Sequence, residues 1–372
     1  MKKLLGGCLA LLLAAAPLLS ACHSYVDLDK LLYVTSILVD LTDDGKPIFV
    51  FEALKPQRSS AKEANDEERI TYTIQRETIS AAINDLHTKS SSEVTFAHCK
   101  VILLTIKVMQ SKLSFYDIFD RRQDFISRTL VGVLDGDRNQ FVQTVPKEEN
   151  FAGLFLFNLI NNCQSIAAKG VRVDIKEVMN QALIGDHVNS IPIVRKSSDE
   201  DGNASYEVTG LALAKSSGLV GTLYDDAPTY FNMMLDNVVT SALSVPNPNQ
   251  PDKSVSLSID HYDRDVEMEF DGQTLKYKMR LDVQTSIEEI IGQMAPTDEM
   301  LEKLRQELSD KIDENCMQLF HDYKEKGIDV FDIQEEFDRR YPSYKDYTII
   351  TSTDLEVEAN VTIHGTTTKW SP

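Results

Sequence analysis

Apolar and polar positions change rhythm several times along the chain. Leu31–Leu54, "LLYVTSILVDLTDDGKPIFVFEAL", holds two β-branched and aromatic runs around Asp43-Asp44-Gly45, which predicts a β-hairpin. Both faces of its first run are mostly apolar, so that strand is expected inside a sheet covered on each side. The polar, turn-rich stretch Lys55–Arg69 reads as an exposed loop. Ile79, Ile83 and Leu86 recur at helical spacing, Cys99–Met109 reads as one continuous buried strand, and Phe115, Ile118, Phe119, Phe125 and Ile126 mark another helix. An amphipathic helix is expected from Phe151, stopping at Gly170 because glycine readily takes the left-handed cap conformation. A further helix follows from near Asp174 to Ile184.

The second half opens with short strands, "YEVTGLALAK" and "GLVGTLY", joined across Ser216-Ser217-Gly218. Pro246–Ser254, "PNPNQPDKS", reads as a loop. Ser254–Val283 alternates in period two around Asp271-Gly272, an antiparallel meander. The clearest helix has Thr297 as N-cap, with Asp298 and Glu299 in its first turn, where the helix dipole favours negative charge. Leu301, Leu304, Leu308, Ile312, Leu319 and Tyr323 form its apolar stripe, and Gly327 ends it. That spacing fits either a core face or a groove for a partner. A shorter helix over Asp329–Arg340 and a last strand, "DLEVEANVTIHG", follow.

Helices and strands alternate irregularly and without internal repeats, so the expected fold class is α+β: multi-domain, with mixed or antiparallel sheets and packed helices. Arg195–Glu207 is charged and small in its side chains, and reads as the domain boundary. The expected organisation is a leader over 1–21, an N-terminal α+β domain over 22–195, a linker over 196–207, and a C-terminal α+β region over 208–372. That last region holds the meander and the long helix, in one or two subdomains.

Lys2 and Lys3 followed by the apolar run Leu4–Leu19 have the order of a secretory leader. Leu19-Ser20-Ala21-Cys22 fits a bacterial lipobox, where cleavage leaves Cys22 first and its sulfur takes a diacylglyceryl group. The ordinary alternative is cleavage near Ala21 with an incidental cysteine. No other run approaches the roughly 18–20 apolar residues of a membrane helix. The body is therefore expected to be soluble and held at a membrane by Cys22.

Formal charge changes the picture of partners. At −20 over 372 residues the chain excludes nucleic acid as a natural partner and does not dock electrostatically on anionic lipid. Cys99, Cys163 and Cys316 are too widely spaced for a disulfide framework or zinc motif and read as small buried hydrophobes. Asp135, Asp137 and Asn139 have the first spacings of a calcium loop, but Gln140 replaces its turn glycine and Pro146 its glutamate, so a polar turn between strands is expected. His98 and Cys99 would face opposite ways in a strand, which excludes a catalytic pair. Asp260, Asp263 and Asp265 read as a solvated sheet edge. No nucleophile elbow, zinc-protease, phosphate-loop or dinucleotide motif occurs, so no enzyme, metal site or cofactor is expected.

Several of these segments occur together in one family. The lipobox at Cys22, "LYVTSILVDLTDDGK", "TFAHCKVILL", "VTGLALAKSSGLVGTL" and, most specifically, "KEKGIDVFDIQEEFDRRYPSYKDY" resemble the Ger(x)C lipoproteins, the C subunits of nutrient germinant receptors in spore-forming bacteria. The chain departs from them in having His23-Ser24 after the cysteine in place of a tryptophan-aspartate pair. Asp332 stands where a glycine is usual, and Trp370 is the sole tryptophan. The resemblance implies α+β domains of family-specific topology on the outer face of the spore inner membrane. It implies two multi-spanning partners, an A-type subunit and a permease-like B-type subunit that is the nutrient binder. This chain would then scaffold or transmit the receptor's active state. The contrasting expectation is an extracytoplasmic solute-binding lipoprotein of a transporter, against which the meander counts, since such proteins repeat βα units in two lobes.

Overall fold

The computed structural model describes residues 30–56, 68–111, 128–183, 187–198, 201–237, 240–294, 297–344 and 347–366. The leader, Cys22 and the helix expected over Phe115–Ile126 lie outside the described residues. No helix among the described residues is long and apolar enough to cross a membrane.

The predicted hairpin forms β1 (Leu31–Leu41) and β2 (Pro47–Lys55), turning at Gly45, whose φ of +74° suits glycine. β3 (Glu68–Gln75) pairs antiparallel with β2. Helix α1 (Ile79–Lys89) begins at Thr78, whose side chain accepts from the Ala81 amide. β4 (Glu93–Thr95) and β5 (Val101–Thr105) both pair parallel with β1, at successive parts of its length. The apolar run from Cys99 is thus not one strand. It ends at Thr105, and residues Ile106–Gln110 wind into the short helix α2. An unbroken apolar run carries no period to tell strand from helix.

β6 (Leu130–Asp135) and β7 (Asn189–Ser198) extend the parallel centre, with α3 (Arg138–Gln143), α4 (Ala152–Ala167) and α5 (Ile175–Leu183) between them. Helix α4 ends earlier than its glycine suggests, because Ala168 takes the left-handed position at φ 46°. Gly170 serves close approach instead: a Cβ there would lie 3.0 Å from that of Cys163. Helix α5 starts in a reciprocal capping box, Glu177 receiving the Asp174 amide at 2.9 Å and Asp174 the Glu177 amide at 3.0 Å.

β8 (Ala204–Lys215) and β9 (Gly218–Tyr224) then add an antiparallel edge, giving a sheet ordered β3-β2-β1-β5-β6-β7-β8-β9 with β4 beside β1. The flanks of the expected domain boundary are strand: Arg195–Ser198 of β7 pair antiparallel with Ala204–Glu207 of β8. Most of these side chains are polar and face water, Tyr206 being buried in the core, while the backbone still pairs.

After α6 (Ala227–Met234) comes a second sheet. β11 (Gln250–Phe270) and β12 (Leu275–Ile290) form the expected meander, β10 (Ser241–Asn247) adds an antiparallel strand beside β11, and β13 (Thr353–Thr366) pairs parallel with β12. The predicted loop at Pro246–Ser254 is mostly strand, since the chain turns between Asn247 and Gln250. Between β12 and β13 run α7 (Asp298–Lys324) and α8 (Ile333–Arg340). Thr297 caps α7 by accepting from the Met300 amide. At the other end the Gly327 amide donates to Lys324 and the Ile328 amide to Tyr323, the two bonds of a Schellman motif, with Gly327 at φ +68°. The α7 stripe is core: Leu304, Leu308, Ile312, Cys316, Phe320 and Tyr323 are buried against the second sheet. Leu301, at its start, is half-buried.

Candidate functional site

Most residues singled out from the sequence have structural roles. Asp135 pairs with Arg195, and Asp137 caps α3 by accepting from the Gln140 amide, so the calcium-like string is a strand-to-helix turn whose carboxylates are otherwise engaged. His98 is exposed and packs edge-on to Tyr33 at 5.0 Å, while Cys99 is buried. The two lie in a turn rather than a strand, and they still point apart. Burial pushes the Cys99, Cys163 and Cys316 thiols up, and all three are free. Asp260, Asp263 and Asp265 are exposed at and beyond Ile259, where β10 stops pairing and β11 becomes an edge among the described strands.

Two buried polar centres were not visible as motifs. The first is Glu52 on β2, fully buried. It accepts from Thr35 Oγ1 at 2.7 Å, Ser36 Oγ at 2.9 Å and Arg69 Nε at 2.6 Å. The Ala152 and Gly153 amides, at the positive end of α4, donate to it at 2.9 and 2.8 Å. Gly153 is needed there, since a Cβ would sit 2.6 Å from the Thr35 carbonyl oxygen. Each carboxylate oxygen is satisfied, so the cluster fastens α4 to the first sheet.

The second lies where the two sheets meet. Val171, Leu211, Leu213 and Leu223 of the first half share a core with Phe231, Leu257 and Tyr323 of the second. Asn232 of α6 donates to the Ala168 carbonyl at 2.7 Å, across the same seam. Beside it is a cavity of about 260 Å³, lined by Val173, Glu177, Asn189, Phe231, Val330 and Asp332 among others. The turn leading into α8 forms one wall. Asp329 accepts from the Phe331 and Gln334 amides at 3.0 and 2.6 Å, which folds the chain back on itself. Asp332 then adopts φ 58°, ψ 21°. This is the left-handed region, which glycine adopts most readily.

Asp332 faces His187, which precedes β7, with Oδ1 and Nδ1 3.8 Å apart. Burial and the charge of Asp329 raise the Asp332 carboxyl to about 6, while His187 pulls the other way. His187, Asp332 and Glu335 bring their ligand-capable atoms within 4.8 Å of one another. On the far side of α8, Arg264 and Tyr277 of the meander both bind Glu336, Tyr277 Oη donating at 2.5 Å. The start of α8 therefore links first sheet, meander and long helix. At the hairpin tip Phe270 packs against Phe337, Tyr341, Tyr344 and Tyr347 with ring centroids 4.9–5.9 Å apart. Tyr344 and Tyr347 are 47% and 38% exposed, which makes this an aromatic surface patch.

Sequence spacing does not bring these groups together, because residue 187 and residues 332–335 meet only through the fold. The one signal was Asp332 itself, a charged residue where the resembled family has glycine.

Two family models match the chain in succession. One, described as the spore germination protein N-terminal domain, covers residues 24–196; the other, spore germination B3/GerAC-like C-terminal, covers residues 209–367. They meet in the β7–β8 hairpin. Among solved structures the chain is similar to one titled "Crystal Structure of the GerBC protein", with a TM-score of 0.57 and 16% identity, covering 88% of this chain and 96% of that one. This likeness shows the shared two-sheet fold. No curated protein sequence matches the chain.

Proposed function

We propose, from the premise that the chain belongs to the GerAC-like spore germination protein family, that it works as the lipid-anchored C subunit of a nutrient germinant receptor. The observation carrying this reading is the succession of both family models, in order, over residues 24–196 and 209–367. Their meeting point supports dividing the chain into units of 22–195 and 208–372, joined at 196–207, which here is a hairpin and not a slack tether.

In this reading diacylglyceryl on Cys22 holds the body on the outer face of the spore inner membrane. Two acyl chains give a stable anchor at about 0.8 kcal/mol per buried CH₂, where one alone holds only marginally. The partners are an A-type multi-spanning subunit and a permease-like B-type subunit that binds the nutrient. The chain is a non-catalytic scaffold that passes on the active state, and it can do so only by binding the receptor's two states with different affinity. The packed seam supports this role, because a load on either sheet reaches the other through α6, α7 and the α8 turn.

The test is capture of the tagged chain from spore inner membranes in mild detergent. Two multi-spanning subunits should accompany it, and its mature N-terminus should be diacylglyceryl-Cys22. Recovery without them refutes the receptor assignment, and an unmodified N-terminal residue refutes the anchor.

A further inference from the structure

We propose that His187, Asp332 and Glu335 form a binding site for one divalent transition-metal ion of the zinc class, at the seam between the two sheets. Imidazole nitrogen and carboxylate oxygen are both zinc ligands, and three protein ligands leave a position for water. Two ligands each about 2.1 Å from one ion stand up to about 4.2 Å apart. His187 Nδ1 and Asp332 Oδ1, at 3.8 Å, already meet that condition. All three ligand atoms fall within 4.8 Å, so a small rotation of Glu335 closes the set. Glu335 pairs with Arg339 at 2.9 Å, an exposed contact that a divalent ion readily replaces.

An independent observation concerns the cavity that Asp332 also lines. Asn189 lines the cavity beside Asp332, is only 6% exposed, and its Oδ1 has no hydrogen-bond partner among the described residues. A buried acceptor left unbonded is costly, and buried amides are normally satisfied. A metal-bound water donating to Oδ1 would satisfy it, and the acceptor would in turn orient that water. An ion here would tie β7 to α8 and so stiffen the seam.

The probe is Zn²⁺ alone, titrated calorimetrically into the purified full-length mature protein in detergent, with Co²⁺ absorption reporting the ligand set. We expect one equivalent bound, and at least tenfold weaker binding in both D332G and H187Q. D332G should fold normally, because glycine suits the left-handed position, so its loss of binding is not a loss of structure. H261A, which removes the separate exposed His261–Asp263 pair, should bind as the wild type does. Absence of saturable binding overturns the proposal. So does wild-type affinity in D332G and H187Q, which would place the ion elsewhere.

Discussion

Strand β1 is buried at every position from Val34 to Leu41, whereas β10 alternates buried and exposed positions from Ser241 to Asn247. The first sheet has helices on both faces: α1 and α5 pack into one core, and α3 and α4 into another. The second has α7 on one face and water on the other, where Lys278 pairs with Glu356 and Glu358, and Arg280 with Asp265 and Glu267. Parallel strands buried on both sides and antiparallel strands wet on one side are the two usual solutions. The difference teaches where polar groups can be kept. Inside the first sheet buried carboxylates are held by dense partners: Glu52 has both oxygens hydrogen-bonded, and Asp40 accepts from the Leu41 amide and Thr105 while facing Arg138 at 3.7 Å. At the seam, where neither sheet encloses the chain fully, Asp332 stays partly open to solvent and the buried Asn189 Oδ1 has no hydrogen-bond partner among the described residues.

The second sheet is broken most severely by disrupting α7, its longest helical cover. Leu308→Asp, at a position with no exposure, places an unpaired charge in that core and should cost about 4 kcal/mol or more. Leu304→Asp should behave alike. Urea unfolding checks this, and an unchanged midpoint would show that α7 is not the core it forms here.

Next in size is Glu52→Ala, expected to cost about 3 kcal/mol or more, because Arg69 and two helix amides lose a buried partner. Glu52→Gln should cost less, since its carbonyl still accepts. Equal losses in the two variants would mean that the charge alone, rather than the shape and acceptor that Gln retains, holds α4.

A smaller gain is expected from Ala168→Gly. Relieving a left-handed alanine at φ 46° should stabilise by about 1 kcal/mol, read as a higher melting temperature. A lower one would show that the buried methyl group contributes more than the strain costs.

The smallest effect is pH-dependent. Asp313 of α7 accepts from the Ala359 amide at 2.8 Å, yet burial raises its carboxyl to about 6. The folded chain therefore binds a proton that the unfolded chain has released above its ordinary value near 4, so stability falls as pH rises from there to about 6. Asp313→Asn should lose this slope and melt above the wild type at pH 7.5, with the gap closing near pH 4. A constant gap across that range would assign the shift to another group.

Much of this architecture was legible in local patterns. The β1–β2 hairpin, the β11–β12 turn at Asp271-Gly272, and α7 from Thr297 to Gly327 all announce themselves through turn and cap chemistry. What was not legible depends on distant pairing. The parallel centre β1-β5-β6-β7 is set by crossovers, and the β7–β8 hairpin hides behind solvent-facing polar side chains. Helix α2 is lost in an unbroken apolar run. The seam is the extreme case, because His187 and Asp332 are brought together only when both sheets are built. The second sheet's meander and single crossover also fail to repeat the first, which removes the two similar lobes that a solute-binding reading requires.

If the chain works as the proposed receptor subunit, a nutrient receptor cannot signal without it. The most direct test is germination of spores lacking the protein, followed by the fall in optical density after nutrient addition. The account predicts no response to one class of nutrient, with full germination when a stimulus bypasses the receptors. Normal responses to every nutrient, in a strain with no redundant receptor, would contradict it.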